Sequence, residues 1–416
     1  MRARSFLIAL AAWSGAFWTT AARADQLVVQ RNVTVREEPR RASDVVDFPA
    51  VGTRLELLDG GARRSGYYHV RLPDGREGWV YQTFVRRVEV AGPGGPGGER
   101  IAVHYIDVEQ GAAAVVETPC GAVMIDAGGR GDAAGDHLIE YLDAFFERRQ
   151  DLGRRLAALF VTHTHIDHNS NLRRVAERYD VAGYVHNGRM VGSGRNGARW
   201  MVDHAGSRNP AIPTLSIEDV AAAGVTNAVV DPLACTGTDP RIRVFAGGLT
   251  QNPGWSASEF DNGNNHSLVI RVDYGESSFL FTGDLEDHAI ERLVDRSAAA
   301  LDVDVYEAGH HGSLNGTTAG LRGAMTPDIA IISMGPHTVQ RMWTAWAYGH
   351  PRRTLVELLD SAVARPRIAP KTVMVADRVK SFSTYDLTDA IYATGWDGDV
   401  VVTGTADGQL QVSTSR

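Results

Sequence analysis

The sequence predicts an α+β chain in which a small all-β module precedes a larger domain of alternating strands and helices. Three observations carry this. Before position 90 the chain consists of short β-type runs broken by turn residues. Residues 91–99, Ala-Gly-Pro-Gly-Gly-Pro-Gly-Gly-Glu, can form neither helix nor sheet and read as a linker. After residue 100, apolar runs of strand length alternate with helical periodicity. A length of 416 residues suits two or three domains at roughly 150 residues each.

Residues 1–24 read as an export signal. Arg2 and Arg4 precede an apolar stretch over 6–18, and Ala22-Arg23-Ala24 is a cleavage pattern, so the mature chain is expected to begin at Asp25. The apolar stretch is shorter than the ~20 residues of a spanning helix, and no later run is long enough. The mature protein is therefore expected to have no transmembrane segment and to be periplasmic or secreted. Losing Arg2, Arg4 and Arg23 takes the formal charge from −8 to −11, which argues against a broad basic surface for nucleic acid. Cys120 and Cys235 are the only cysteines, and the sequence leaves their pairing open.

Residues 25–90 contain β-runs at 27–29, 33–35, 53–58, 67–72 and 78–80, with Pro73-Asp74-Gly75-Arg76 as a hairpin signal. Short antiparallel strands of this kind read as a small closed barrel. In residues 100–416, strands are expected at 101–108, 113–118 and 122–125, the last ending at Asp126, followed by an amphipathic helix over 136–149. A strand at 156–161, a helix at 169–179 and a strand at 181–185 come next. Residues 187–214, rich in Gly, Asn, Arg and Pro, are expected to form a long loop. Ser216, with Asp219 three places on, is expected to cap a helix through 221–223. Paired strands at 267–272 and 278–281, a helix at 286–296, and strands at 303–306 and 329–332 complete the core pattern. Asp397-Gly398 and Asp407-Gly408 read as closing hairpin turns.

The chemistry concentrates in Thr162-His163-Thr164-His165-Ile166-Asp167-His168, directly after an apolar strand. A strand ending in a tight loop turns alternate side chains toward one point. His163 and His165 can then grip one divalent ion while Asp167 and His168 reach a second. Unligated histidines have no physical reason to cluster around a carboxylate. Asp126, His266, Asp284, His310, His311 and His350 stand at other apparent strand ends, and a carboxylate such as Asp284 suits a bridge because each oxygen can bind one ion. Asp107 reads as a turn carboxylate, and His186 and His204 as loop residues.

Two resemblances sharpen these expectations. The segments VTVREEP, VGTRLELL, GYYHVRL and PDGREGWVYQTFV resemble bacterial Src-homology-3-like domains, which implies a barrel binding cell-wall peptide or a partner surface. The segments THTHIDHNSNL, NNHSLVIRVDYGESSFLFTGD, GHHGS and YGHP resemble the metallo-β-lactamase superfamily, most of all the soluble hydrolase domain of the ComEC competence family. That resemblance implies a four-layer αββα sandwich over 100–416 with two divalent ions, zinc or manganese, between the sheets. It implies His163, His165 and His266 on the first ion, Asp167, His168 and His310 on the second, Asp284 between them, and Asp126 orienting a loop ligand. His310 is preferred to His350 as ligand because it follows the strand after the helix that follows Asp284. Asp167 would also orient the attacking water, and His311 or His350 would protonate the leaving oxygen. The implied reaction is hydrolysis of an ester-like bond, with phosphodiester the leading class. Amide, lactam or thioester hydrolysis, or envelope binding by a chain with an inactive metal domain, are the competing readings.

Overall fold

The computed structural model describes residues 26–29, 31–59, 62–88 and 100–416. The expected export signal and the Gly/Pro linker lie outside the described residues. Among those described, no helix is long and apolar enough to cross a membrane.

The N-terminal segment forms an antiparallel sheet. Its spatial order is Val45–Asp47, Val35–Arg36, Glu77–Tyr81, Tyr67–Arg71, Arg54–Leu57, Gln26–Val29 and Val85–Val88. The hairpin at Pro73-Asp74-Gly75-Arg76 joins Tyr67–Arg71 to Glu77–Tyr81, with Gly75 at φ +89° and the Arg76 N–H donating to Asp74 Oδ1 at 3.1 Å. Alternation puts Leu55, Leu57, Val70, Leu72 and Val80 into a core of their own with Leu27 and Val85. Where a closed barrel was expected, the backbone pairing is an open path; among the described residues no pairing joins its two ends.

In the larger region the principal strands are β1 Arg100–Tyr105, β2 Ala113–Thr118, β3 Gly121–Ala127, β4 Ala158–Val161, β5 Tyr184–His186, β6 Thr214–Ser216, β7 Arg241–Ala246, β8 Val269–Tyr274, β9 Ser277–Phe281, β10 Val305–Glu307, β11 Ile329–Ile332, β12 Pro366–Arg378, β13 Ser381–Asp389, β14 Ile391–Ala393, β15 Val400–Thr405 and β16 Leu410–Thr414. The principal helices are α1 Asp132–Arg148, α2 Ile166–Asn169, α3 Leu172–Arg178, α4 Arg195–Ser207, α5 Asp287–Ser297 and α6 Arg353–Asp360. One sheet has the order β6-β5-β4-β3-β2-β1-β15-β16, the other β7-β8-β9-β10-β11-β14.

The layering follows from strand period. In β3, Val123 and Ile125 join the core shared with Ile270, Val272, Phe279 and Phe281 of the second sheet. Their neighbours Ala122 and Met124 enter a separate core with Leu138, Leu142, Phe145 and Phe146 of α1. A strand buried on both faces reads as a continuous apolar run, as this one does. The second sheet is covered on its far side by Ile290 and Leu293 of α5 and Leu355, Val356 and Leu359 of α6. The result is the αββα sandwich.

Three local expectations are corrected. The stretch 187–214 is not one loop, because α4 occupies 13 residues of it; its buried stripe is Ala198, Met201 and Ala205, too small and too interrupted by Gly194 and Gly197 to register as apolar periodicity. No helix follows Ser216, which ends edge strand β6, while Asp219 sits at φ +48° and accepts from the Thr250 N–H at 3.1 Å. Asp397-Gly398 is the end of a helical turn, Thr394–Asp397, whose Asp397 is buried against Arg367 and Lys371 at 2.8 Å for the latter. The β12–β13 hairpin had no counterpart in the sequence reading.

Candidate metal centre

The parallel pairing of β3 with β4 matches Ile125 to Phe160, so the carboxyl ends of both strands open on one edge. Asp126 sits there at φ +57°. Its carboxylate accepts the Thr162 N–H at 2.7 Å, the Thr162 hydroxyl at 2.8 Å and His168 Nδ1–H at 2.6 Å. The loop carrying Asp167 lies against Gly128 so closely that a Cβ there would stand 1.6 Å from the Asp167 carbonyl oxygen, which only glycine permits. That carbonyl accepts the Ala112 N–H at 3.0 Å.

The second sheet contributes the facing groups. Asp284 follows β9 across Gly283 (φ +53°), and its N–H donates to Ser267 Oγ at 3.1 Å. His310 and His311 follow β10 with φ of +51° and +53°, two successive left-handed residues with side chains. Such backbone costs energy and persists only where surrounding contacts fix it. His310 N–H donates to the Gly283 carbonyl at 3.0 Å, and His311 Nδ1–H donates to the Ser333 carbonyl at 2.7 Å.

These elements converge. Ligand atoms of Asp167, His168, Asp284 and His311 all lie within 4.8 Å of one another. Asp284 Oδ1 is 3.0 Å from His168 Nε2, while Oδ2 is 3.6 Å from His311 Nε2 and 3.7 Å from His163 Nε2. His163 Nε2 stands 3.1 Å from His165 Nδ1. His311 Nε2 is 3.2 Å from His168 Nε2 and 3.5 Å from Asp167 Oδ2.

Burial and neighbouring charges oppose one another across this cluster. Burial alone would raise the Asp284 carboxyl, but His168 and His311 outweigh it and hold Asp284 well below the usual carboxylate range. Burial opposes charge on His168 too, yet Asp284 and Asp126 raise its imidazole well above the ordinary value. His163, buried beside His168, is pushed down by burial and by that neighbour. In His350, burial and then the charge on His311 act the same way.

Three expected residues stand differently from their assigned places. His266 is fully buried, but its Nδ1 accepts the Leu249 N–H at 3.1 Å and its Nε2–H donates to the Phe260 carbonyl at 2.7 Å, so both nitrogens are committed to backbone. The reason is its setting at the end of a 3₁₀ turn, Gly263–His266, three residues before β8 begins at Val269. His310 and His311 exchange roles: His311 enters the cluster, whereas His310 Nε2 remains 3.9 Å from Asp284 Oδ2 and its Nδ1 3.6 Å from Glu286 Oε1. His350 lines the cleft, its ring 6.3 Å from that of His311, with Gln110 Nε2–H donating to its Nδ1 at 3.3 Å. His186 and His204 lie apart, the first accepting the Gly188 N–H and the second stacked on Trp200. Asp107 accepts the Glu109 N–H at 3.2 Å in a turn and pairs with Arg416.

The cleft around the cluster has a volume of about 570 Å³. Arg130, Trp343 and Tyr348, which no metal-ligand pattern marks, form part of its wall. Asn264 also lines it. Its Nδ2–H donates to Glu286 Oε1 at 2.7 Å, which fixes the amide orientation, and its buried Oδ1 has no hydrogen-bond partner among the described residues. Imidazoles and carboxylates in one buried cluster, with an orphaned carbonyl oxygen beside them, fit the requirements of divalent ions. Cys120 and Cys235 are joined in a disulfide remote in sequence from these residues.

Residues 106–337 match the sequence profile of the metallo-beta-lactamase superfamily. Recombination protein 2 of Haemophilus influenzae is 40% identical over 87 residues, 21% of this chain and 10% of that protein. ComE operon protein 3 of Bacillus subtilis is 31% identical over 126 residues, 29% of this chain and 15% of that protein. Competence protein ComA of Neisseria gonorrhoeae is 36% identical over 88 residues, 21% of this chain and 12% of that protein. The chain thus spans a small part of these relatives. Among solved structures, the metallo-beta-lactamase fold protein YhfI of Bacillus subtilis aligns at a TM-score of 0.34 and 10% identity, covering 64% of this chain and 94% of that one.

Proposed function

The chain belongs to the metallo-β-lactamase superfamily, and on that footing we propose that it is an exported phosphodiesterase working with two divalent ions, zinc or manganese. The observation that carries the reading is Asp284, buried with imidazoles facing both its oxygens: His168 Nε2 3.0 Å from Oδ1, and His311 and His163 Nε2 3.6 and 3.7 Å from Oδ2. His163, His165 and the Asn264 amide oxygen would hold one ion, Asp167, His168 and His311 the other, with Asp284 shared. Bound divalent ions supply Lewis acidity and lower the pKa of water.

The protein's own groups prepare that chemistry. Asp126 keeps the His168 proton on Nδ1, and the Ser333 carbonyl does the same for His311, so each presents an Nε2 lone pair to the cluster. Gln110 donates to His350 Nδ1, which leaves that ring's proton on Nε2, available to a leaving oxygen. Asp167, whose Oδ2 lies 3.5 Å from His311 Nε2 and which lines the cleft, would orient the attacking water. Phosphodiester is favoured over amide because Ser313 and Asn315 line the cleft with polar groups suited to phosphate oxygens. Export is supported by the N-terminal signal pattern and by the Cys120–Cys235 bridge, which persists in oxidising compartments.

The test is metal content by elemental analysis, with turnover of bis-p-nitrophenyl phosphate and of a labelled DNA strand in the same preparation. Two equivalents with cleavage are expected, and Asp167→Asn should abolish turnover while leaving the fold. Two equivalents without cleavage would move the substrate to amides, lactams or thioesters; no bound metal would overturn the reading.

A further inference from the structure

The wall of the cleft carries an aromatic feature that neither the metal cluster nor the core requires. Trp343 is 51% exposed, in a loop at the wall of the cleft. Its backbone has φ +65°, a region that bulky residues avoid unless neighbours enforce it. Here the adjacent Thr344 hydroxyl bonds the carbonyls of Val339 and Arg341, both at 2.8 Å, and ties the loop. A strained backbone that holds a large apolar ring toward solvent is not a packing solution.

From Trp343 a run of rings leads inward. Tyr348 lies 6.3 Å from it, His350 is stacked 5.5 Å from Tyr348, and His311 follows at 6.3 Å from His350. The Arg130 guanidinium stands 5.4 Å from the indole centroid. It lines the cleft, and among the described residues no ion pair with a carboxylate engages it, so its charge is available to an anion. An exposed indole, a second ring beside it and an unpaired guanidinium, all opening on the same cleft as the metal cluster, match the chemistry of a nucleotide: a flat π-face next to a phosphate.

Resting on the phosphodiesterase reading, we propose that Trp343, Tyr348 and Arg130 form a nucleobase subsite. The base flanking the scissile bond stacks on Trp343 while Arg130 pairs with the adjoining phosphate. This accounts for how a chain of net charge −8 with no broad basic surface holds a polyanion: stacking supplies what long-range charge does not. Stacking needs a base out of its duplex, so single strands and strand ends are the substrates.

The experiment measures equilibrium binding of a fluorescein-labelled, cleavage-resistant phosphorothioate oligothymidylate, and of an abasic strand of equal length, by anisotropy with the metal-loaded full chain. Wild type should prefer the thymine strand by roughly 5- to 150-fold, the range of one base-aromatic stack. Trp343→Ala should bring that preference close to one, and Trp343→Phe should keep most of it. Arg130→Gln should weaken both strands alike and reduce the salt slope by about one. An unchanged preference in Trp343→Ala, or none in wild type, overturns the subsite. Bis-p-nitrophenyl phosphate separates the two failures: turnover with no base preference removes only the subsite, whereas no turnover removes the phosphodiesterase reading and the subsite with it.

Discussion

Replacing Asp126 by Asn tests how the protein sets the proton position on a metal ligand. In the native arrangement Asp126 accepts three hydrogen bonds, two from Thr162 and one from His168 Nδ1. Asparagine can keep its oxygen on the Thr162 N–H, but its NH₂ group then meets the His168 Nδ1–H as donor against donor. The imidazole relieves that clash by moving its proton to Nε2, the nitrogen 3.0 Å from Asp284 and 3.2 Å from His311. A protonated Nε2 cannot ligate. Losing such an orienting carboxylate typically costs 10–100-fold in metal affinity, about 1.4 to 2.7 kcal/mol. Competition titration with a chromophoric chelator, alongside elemental analysis, should show one equivalent weakened by that factor and the other bound as in wild type. Wild-type affinity for both equivalents in Asp126→Asn would refute the reasoning, because His168 would then be oriented by something other than this carboxylate.

The remaining expectations separate structural groups from site groups. His266→Phe should retain both metal equivalents and lose about 1–3 kcal/mol in urea unfolding, since it orphans the Leu249 N–H and the Phe260 carbonyl; loss of a metal equivalent would return His266 to the ligand set. Asn264→Ala should weaken one equivalent in the same chelator titration while leaving the unfolding free energy in urea within about 1 kcal/mol of wild type; unchanged affinity would make its orphaned oxygen a substrate contact. Glu117 binds Arg148, Arg149 and His104 at 2.6 to 3.0 Å in a buried knot, so Glu117→Gln should cost about 3–5 kcal/mol. Burial would raise its carboxyl, but the hydrogen bonds from His104 and Arg148 hold it well below its ordinary 4.5, so this contribution is present above pH 4.5 and lost as pH falls. Wild type should therefore lose stability below pH 4.5 more steeply than Glu117→Gln, and parallel pH curves would contradict it. Replacing Cys120 and Cys235 together by Ser opens a loop of sequence separation 115 and should cost about 2–5 kcal/mol by denaturant unfolding.

That Asp167 and His168 belong to a candidate cluster was legible because the information is local. Six residues after one strand carry four donor groups, and the parallel pairing of β3 with β4 only had to bring Asp126 to the same edge. The layered core was legible for a related reason: strands such as β3 and β9 are apolar on both faces and therefore read as unbroken runs. What the sequence hid depends on features with no periodic signature. Helix α4 buries alanines and a single methionine rather than a leucine stripe. Trp343 owes its place to a left-handed backbone residue, and Asn264 owes its importance to an oxygen left without a partner.

The exchange of His310 for His311 shows where pattern reasoning stops. A strand end delivers both histidines to within reach of Asp284, and spacing alone cannot rank them. The ranking comes from the left-handed conformation of both residues, which turns the chain so that the second ring, not the first, points inward. The Ser333 carbonyl at the end of β11 then takes the His311 Nδ1–H at 2.7 Å, and no comparable acceptor fixes His310, whose Nδ1 lies 3.2 Å from Asn315 Oδ1 on the open side of the cleft. A histidine held from behind is preorganised to ligate, and one held from the cleft is free to meet substrate. The same test explains His266: its two nitrogens are both held from behind, which leaves no lone pair for an ion, and under the proposed two-ion arrangement the Asn264 oxygen would take its place.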